Sequence, residues 1–193
     1  MLSMNHSVNL KVIILACLTL AGCAATPPIP LNTSIQIQKK VNANNIEIDD
    51  YAVDRKAGDS SGSVYYTGWA AIPDSFVKPA FHTAFSQKLK SALQPTTGAN
   101  GTIQIAIIES GFFMDSKATD TVVFIGIAAA FRERPYKCNV TLNLKVGGKS
   151  ERHEFEHVQL ANRAFGDLDN KQEFINNCQN ALVEKVATFI STQ

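Results

Sequence analysis

The stretch YKCNVTLNLKVGGKSERHEFEHVQL, residues 136–160, decides the fold. Residues 136–146 alternate apolar and polar side chains, as a strand with one buried face does. Gly147 and Gly148 then supply a turn, and residues 150–160 are predicted to return as the partner strand. The sequence therefore predicts an antiparallel β-hairpin.

Two amphipathic helices are predicted outside this hairpin. The first starts at Asp74 or Ser75 and reaches Leu93, because its apolar residues recur at a spacing of three to four. The second starts near Asp169, whose side chain is expected to cap it while Gln172 completes a capping box.

The remaining regular segments are predicted as strands. Residues 35–38 and 46–49 alternate isoleucine with polar residues, 64–71 resumes as an extended segment, and 103–108 is rich in isoleucine. Strand pairs combined with two amphipathic helices indicate an α+β fold. We expect a mostly antiparallel sheet with both helices packed on one face.

Two apolar features leave alternatives open. Residues 122–131 contain no charge, so they form either a strand buried on both faces or a surface that contacts lipid or a partner protein. Tyr65 and Trp69 share one strand face opposite Tyr66, where aromatic side chains are either half-buried packing residues or interface anchors.

The N-terminal residues carry a secretion signal. Lys11 and the apolar run 12–20 supply its charged and apolar regions, and residues 20–23 read LAGC. This element resembles the lipobox of bacterial lipoproteins, which implies that Cys23 becomes the first residue of the mature chain and carries diacyl or triacyl lipid, palmitate included. An ordinary signal peptide or an uncleaved anchor is the alternative interpretation.

The same resemblance predicts location and domain organisation. Ala24 follows the cysteine, where lipoproteins retained on the inner membrane often carry Asp, so the resemblance implies the outer membrane of a Gram-negative cell with the domain facing the periplasm. We divide the chain into a signal peptide (1–22), a proline-rich tether (23–32) and a single α+β domain (33–193).

The charge balance argues against nucleic acid as a partner. Of the 18 Lys and Arg residues only Lys11 lies in the signal, so the mature chain has as many basic as acidic residues, 17 of each. No basic stripe is visible in the sequence. The membrane, through the lipid, and an envelope protein are the partners that we expect.

Two cysteines remain after processing. Cys17 leaves with the signal and Cys23 takes the lipid, so Cys138 and Cys178 are left in an oxidising compartment. A disulfide between them is the interpretation that we favour. The alternative is a pair of buried thiols that act as small apolar residues.

Residues 153–157 read HEFEH and match the HExxH signature of zinc peptidases. On a helix, histidines four residues apart share one zinc ion, whereas four strand steps separate them by roughly 13 Å. This pentapeptide follows the turn of a predicted hairpin. His153 and His157 are therefore weak metal candidates, and we expect neither a metal nor any other cofactor.

The order of anchor, tether, sheet and two helices resembles small YajG-type lipoproteins and the auxiliary lipoproteins of envelope lipid-transport (ABC) systems. The resemblance is one of architecture, together with a short sequence similarity at residues 102–105. It implies a non-enzymatic accessory factor for an envelope protein complex. The alternatives are a module that binds lipid or another apolar ligand and, in a different class, a zinc-dependent hydrolase.

Overall fold

The computed structural model describes residues 26–56, 68–115, 134–161, 165 and 168–193. The signal, Cys23, both Tyr65 and Tyr66, and the apolar segment 122–131 lie outside these residues. The strands are β1 (Ile29–Pro30), β2 (Lys39–Val41), β3 (Asn45–Asp50), β4 (Trp69–Ala71), β5 (Val77–Lys78), β6 (Leu93–Pro95), β7 (Thr102–Asp115), β8 (Arg134–Val146) and β9 (Lys149–Ala161). The helices are a 3-10 turn (Asp74–Phe76), α1 (Phe81–Ala92) and α2 (Lys171–Ser191).

The predicted hairpin is confirmed and is longer than expected. Strands β8 and β9 pair antiparallel from Val146 opposite Lys149 to Arg134 opposite Ala161. Gly147 and Gly148 at the turn have φ angles of 56° and 84°, a backbone region that glycine adopts without steric cost. Strand β7 then pairs antiparallel with the other edge of β8.

The α+β class is confirmed, but the sheets are mixed rather than mostly antiparallel. In the five-stranded sheet β3 runs parallel to β7, whereas β4 runs antiparallel to the C-terminal part of β7. Two further pairs, β1 with β5 and β2 with β6, are also parallel. The chain between β3 and β7 includes α1, which supplies the crossover that a parallel pair requires.

The first helix begins later than predicted. The side chain of Asp74 does contact its start, because Asp74 Oδ1 accepts a hydrogen bond from the backbone N–H of Phe81 at 2.7 Å. The 3-10 turn and β5 occupy the residues in between, and Pro79 precedes the helix. Proline is thereby kept out of the helix interior, where it would remove a backbone hydrogen bond.

The second helix has the predicted kind of cap, shifted by one residue. Asn170 Oδ1 accepts from the Glu173 backbone N–H at 3.0 Å, and Asn170 Nδ2 donates to Glu173 Oε2 at 2.8 Å. This reciprocal pair replaces the box expected from Asp169 and Gln172.

One apolar core joins the sheet to both helices. Its buried residues include Ile103, Ile105 and Ile107 of β7, Val140, Leu142 and Leu144 of β8, Phe81, Phe85 and Leu89 of α1, and Ile175, Leu182, Val186 and Ile190 of α2. Cys138 of β8 and Cys178 of α2 form a disulfide, with their Cα atoms 6.1 Å apart. The disulfide places α2 against the face of β8 that carries Val140 and Leu142.

Part of the segment predicted as a tether packs on the domain. Leu31 is buried, and its backbone N–H donates to the Lys78 carbonyl at 2.8 Å. Ile29 and Pro30 form β1 against β5. The folded region therefore includes residues 29–31, which were assigned to the tether. No helix among the described residues is long and apolar enough to cross a membrane.

Candidate functional site

The face of the sheet opposite the disulfide carries an unusual mixture of polar and aromatic side chains. Paired residues of antiparallel strands point to the same side, so the register defines this face, which we call the polar face. Its members are Trp69 of β4, Glu109, Gly111 and Phe113 of β7, Lys137, Asn139 and Thr141 of β8, and Glu154, Glu156, Val158 and Leu160 of β9.

The middle of the polar face is buried. Phe113 and Thr141 are fully buried, and Asn139 and Lys137 are 5% and 8% exposed. The sequence of β8 predicts the opposite. Its polar residues Lys137, Asn139 and Thr141 alternate with apolar core residues, a pattern typical of a strand with one face in solvent. A signal for burial does exist in the neighbouring strand: Phe112 and Phe113 are adjacent, so they point to opposite faces, and both are buried.

Two cations lie over aromatic rings on this face. Lys137 Nζ is 4.9 Å from the centre of the Trp69 ring, and the Arg55 guanidinium is 5.8 Å from the centre of the Phe113 ring. Both distances are within the range of cation–π attraction. Trp69 thus lies over the end of the polar face that carries Lys137.

Each of these cations also faces a carboxylate near solvent. Lys137 Nζ is 3.5 Å from Glu156 Oε2, and Arg55 Nη2 is 3.4 Å from Glu109 Oε2. The Glu156 and Glu109 side chains are 62% and 40% exposed. The buried centre of the face is therefore bordered by carboxylates that a partner can reach.

Some buried polar atoms on and beside the polar face have no hydrogen-bond partner in the described part of the chain. They are Asn139 Oδ1, Thr141 Oγ1 and Arg55 Nε. A buried polar group without a partner costs roughly 1–3 kcal/mol, so such groups are uncommon in folded proteins. Sequence patterns carry no signal for them, since the partners of a polar strand residue depend on the whole fold.

The outer part of the polar face is apolar and accessible. Val158 and Leu160 of β9 are 46% and 57% exposed, and they stand opposite Lys137 and Pro135 of β8. Further along β9, the residues on the same side are charged, namely Glu156, Glu154 and Arg152. An exposed apolar strip with a charged border is typical of a surface that another molecule covers.

The predicted metal candidates lie on β9, as the hairpin implies. His153 and His157 belong to one side of this strand, and the His153 ring packs 4.7 Å from the centre of the Phe189 ring. His153 Nε2 is 3.8 Å from Glu151 Oε2. Within the described ranges, no group of three or more His, Cys, Asp or Glu side chains is placed to hold a metal ion.

A buried lysine lies between the two helices. Lys88 is fully buried, and its Nζ donates to Asn176 Oδ1 at 3.0 Å and to Asn180 Oδ1 at 2.8 Å. Burial lowers the pKa of Lys88 to about 8, because an ammonium loses hydration inside the protein. Lys88 follows Ala84 by four residues, a spacing that places it on the buried side of α1.

The same region borders a surface groove. The groove has a volume of about 480 Å³ and is lined by Asn32, Ser34, Ile35, Gln36, Ile37 and Asn180. A smaller cavity of about 130 Å³ is lined by Leu144, Val146, Lys149, Glu151, His153 and Gln193. Both linings mix polar with apolar side chains, unlike the predominantly apolar pocket expected for a lipid chain.

Comparison with known proteins adds no family. No protein-family model matches the chain, and no curated protein matches it. A crystal structure of a minor lipoprotein from Acinetobacter baumannii gives a TM-score of 0.34 at 9% identity, covering 78% of this chain and 89% of that one. A crystal structure of an uncharacterized protein gives 0.34 at 10% identity, covering 85% and 96%. At these TM-scores neither likeness carries an argument about fold or function.

Proposed function

We propose that this protein is a lipoprotein anchored through Cys23 to the outer membrane of a Gram-negative cell, with its domain facing the periplasm. The LAGC sequence at residues 20–23 supports the anchor. The disulfide between Cys138 and Cys178 agrees with an oxidising compartment. Intact mass of membrane-extracted protein tests the proposal, and an unmodified Cys23 or a retained signal peptide would contradict it.

We further propose that the domain acts without catalysis, as a binding or accessory factor for an envelope protein complex. The observation that carries this proposal is the exposed apolar strip of Val158 and Leu160 on the polar face. Lys137 stands opposite Val158, and the Trp69 ring lies 4.9 Å from its Nζ. Aromatic and apolar anchors held rigidly before binding lose little conformational entropy when a partner covers them.

The placement of the helices supports the use of this face. We infer that α1 and α2 both cover the side opposite to the polar face, since their buried residues share one core with Val140 and Leu142 of β8. Val158 and Leu160 of β9 remain exposed on the polar face, where a partner can cover them. The exposed carboxylates of Glu109 and Glu156 favour a partner with basic residues around an apolar centre.

Site-specific cross-linking in intact cells tests this surface. A photoreactive amino acid at Val158 is compared with the same group at Glu184, an exposed position on α2. We expect a discrete envelope protein to be captured from position 158 and not from position 184. Equal capture at both positions, or no protein captured from position 158, would contradict the proposal.

The second candidate function is binding of lipid or another apolar ligand. The groove beside Asn180 is the observation that favours it, although Asn32, Ser34 and Gln36 make its lining partly polar. Mass spectrometry of small molecules that remain bound after delipidation and purification separates the two functions. A stoichiometric apolar ligand would favour this second candidate over the protein-binding role.

A further inference from the structure

An exposed aromatic side chain marks the end of the domain at which the N-terminal segment enters. Phe76 is 49% exposed, although Val77 directly after it is buried in the core. Phe76 ends the 3-10 turn and immediately precedes β5. Phe76 is therefore a large apolar side chain that another surface can cover.

The register of β1 and β5 shows where the chain toward Cys23 leaves the domain. The two strands are parallel, with Ile29 opposite Val77 and Pro30 opposite Lys78. Pro28 therefore precedes Ile29 at the same end of the pair at which Phe76 precedes Val77. Residues 26–28 are exposed and lie between this point and the lipidation position.

The connection to Cys23 is short. Cys23 lies six positions before Ile29, so even a fully extended chain spans only about 20 Å between them. The distance between the lipid and the domain is therefore shorter than a free tether of residues 23–32 would allow. A domain held this closely has its Phe76 end within reach of the bilayer that holds the lipid.

A second exposed apolar residue lies on the neighbouring segment. Arg55 and Asp74 join the two segments: the Arg55 backbone N–H donates to Asp74 Oδ2 at 2.7 Å, and the Asp74 N–H donates to the Arg55 carbonyl at 3.0 Å. Val53, two residues before Arg55, is 74% exposed. Lys78 is exposed at the same end of the domain, on β5.

From this placement we propose that the end of the domain formed by Val53, Phe76 and Lys78 contacts the surface of the lipid bilayer. The inference rests on the proposed lipid anchor at Cys23. Aromatic and aliphatic side chains enter the boundary between headgroups and acyl chains, and a lysine extends its ammonium toward anionic headgroups. The lipid then supplies the membrane affinity, and Phe76 fixes the orientation of the domain.

Fluorescence quenching by brominated lipids tests the contact. The lipidated full-length protein is reconstituted into vesicles of phosphatidylethanolamine and phosphatidylglycerol that carry bromine near the headgroup end of the acyl chains. The wild type contains a single tryptophan, Trp69, and reports the background. Phe76→Trp adds an indole at the proposed contact, and Leu160→Trp adds one at an exposed apolar position on the polar face.

We expect Phe76→Trp to show stronger quenching and a blue-shifted emission relative to the wild type, and Leu160→Trp to match the wild type. Sedimentation with the vesicles is measured on the same samples, with Cys23→Ser as the unlipidated control. Proteins that sediment without added quenching in Phe76→Trp would overturn the contact and leave the anchor intact. A lipobox-containing protein that fails to sediment would overturn the anchor, and the contact with it.

Discussion

His82 Nδ1 lies 2.7 Å from Asp50 Oδ2 and ties the first turn of α1 to the end of β3. The other ring nitrogen, Nε2, lies 2.9 Å from Asp54 Oδ1. A carboxylate only accepts hydrogen bonds, so both contacts are satisfied together only when both ring nitrogens carry a proton. The geometry therefore favours the imidazolium form of His82.

The pKa of His82 follows this geometry. Burial opposes protonation, but the hydrogen bonds to Asp50 and Asp54 and the charges of Asp50 and Asp74 outweigh it, so the pKa is raised above 6.5. A raised pKa means that the folded state holds the proton more tightly than the unfolded state does. The resulting stability is fully present below pH 6.5 and is lost as the pH rises through the raised value.

We therefore predict that the free energy of unfolding decreases as the pH rises from 6 toward 8. Urea denaturation at closely spaced pH values measures it. His82→Gln is the matched control, because glutamine has a similar size and does not titrate. The prediction fails if the decrease has the same size in His82→Gln as in the wild type.

Lys88 predicts the opposite slope at higher pH. Its pKa of about 8 lies below the ordinary value of 10.5, so between these limits the unfolded state binds more protons than the folded state. The free energy of unfolding should rise from pH 8 to pH 10.5 by up to about 3 kcal/mol, at 1.36 kcal/mol per pKa unit.

Lys88→Met isolates this contribution from other groups that titrate at high pH. Methionine is similar in length and uncharged, and Asn176 Oδ1 keeps the hydrogen bond from the Asn32 backbone N–H at 3.2 Å. We expect the variant to lose the rise and to be at least as stable as the wild type at pH 7, since the buried ammonium is removed. An unchanged rise would assign it to other groups.

The disulfide is expected to contribute substantially to stability. Cys138 and Cys178 are 40 residues apart, and closing a loop of that length stabilises a fold by roughly 4 kcal/mol in the chain-entropy model. The double variant Cys138→Ala/Cys178→Ala should lose about this amount in urea denaturation. Addition of a reductant should destabilise the wild type and leave the double variant unchanged.

The parts of the fold that were predictable from sequence are those decided locally. The hairpin of β8 and β9 follows from alternation and from two glycines at a turn, and α2 follows from its apolar spacing. Even here the cap moved from Asp169 to Asn170, because both side chains can accept the required hydrogen bond.

The rest depends on contacts between residues distant in sequence. Strand β1 has only two residues, and more than 40 positions lie between it and its partner β5. No local sequence pattern predicts such a pair. Lys88 stands on the apolar side of α1, yet its partners Asn176 and Asn180 lie about 90 residues further on. The burial of Asn139 and Thr141 depends likewise on what covers the sheet.

The HEFEH motif gives a prediction about metal. Because β9 is a strand, the two histidines are expected roughly 13 Å apart, too far to share one ion. We predict that protein purified without chelator contains no stoichiometric zinc, and that His153→Ala does not alter the trace amount. Elemental analysis by mass spectrometry measures both. One zinc per chain, lost in His153→Ala, would revive the hydrolase alternative.

Gly111 gives a direct test of packing on the polar face. A Cβ atom at this position would lie 2.9 Å from two ring atoms of Phe113 and 3.4 Å from Arg55 Cγ. Phe113 is fully buried, so its ring has little room to move. Overpacking of this kind costs typically 1–3 kcal/mol, and we expect Gly111→Ala to lower the free energy of unfolding by about that amount.

A double-mutant cycle shows whether the ring of Phe113 causes this loss. Phe113→Leu removes the ring atoms nearest to the added Cβ, so Gly111→Ala should cost clearly less in that background than in the wild type. Urea denaturation of the four proteins gives the coupling energy. If Gly111→Ala costs the same in both backgrounds, the contact with Phe113 is not the cause. If Gly111→Ala costs less with leucine at position 113, this face is packed as tightly as a core, and the proposed partner meets a rigid surface.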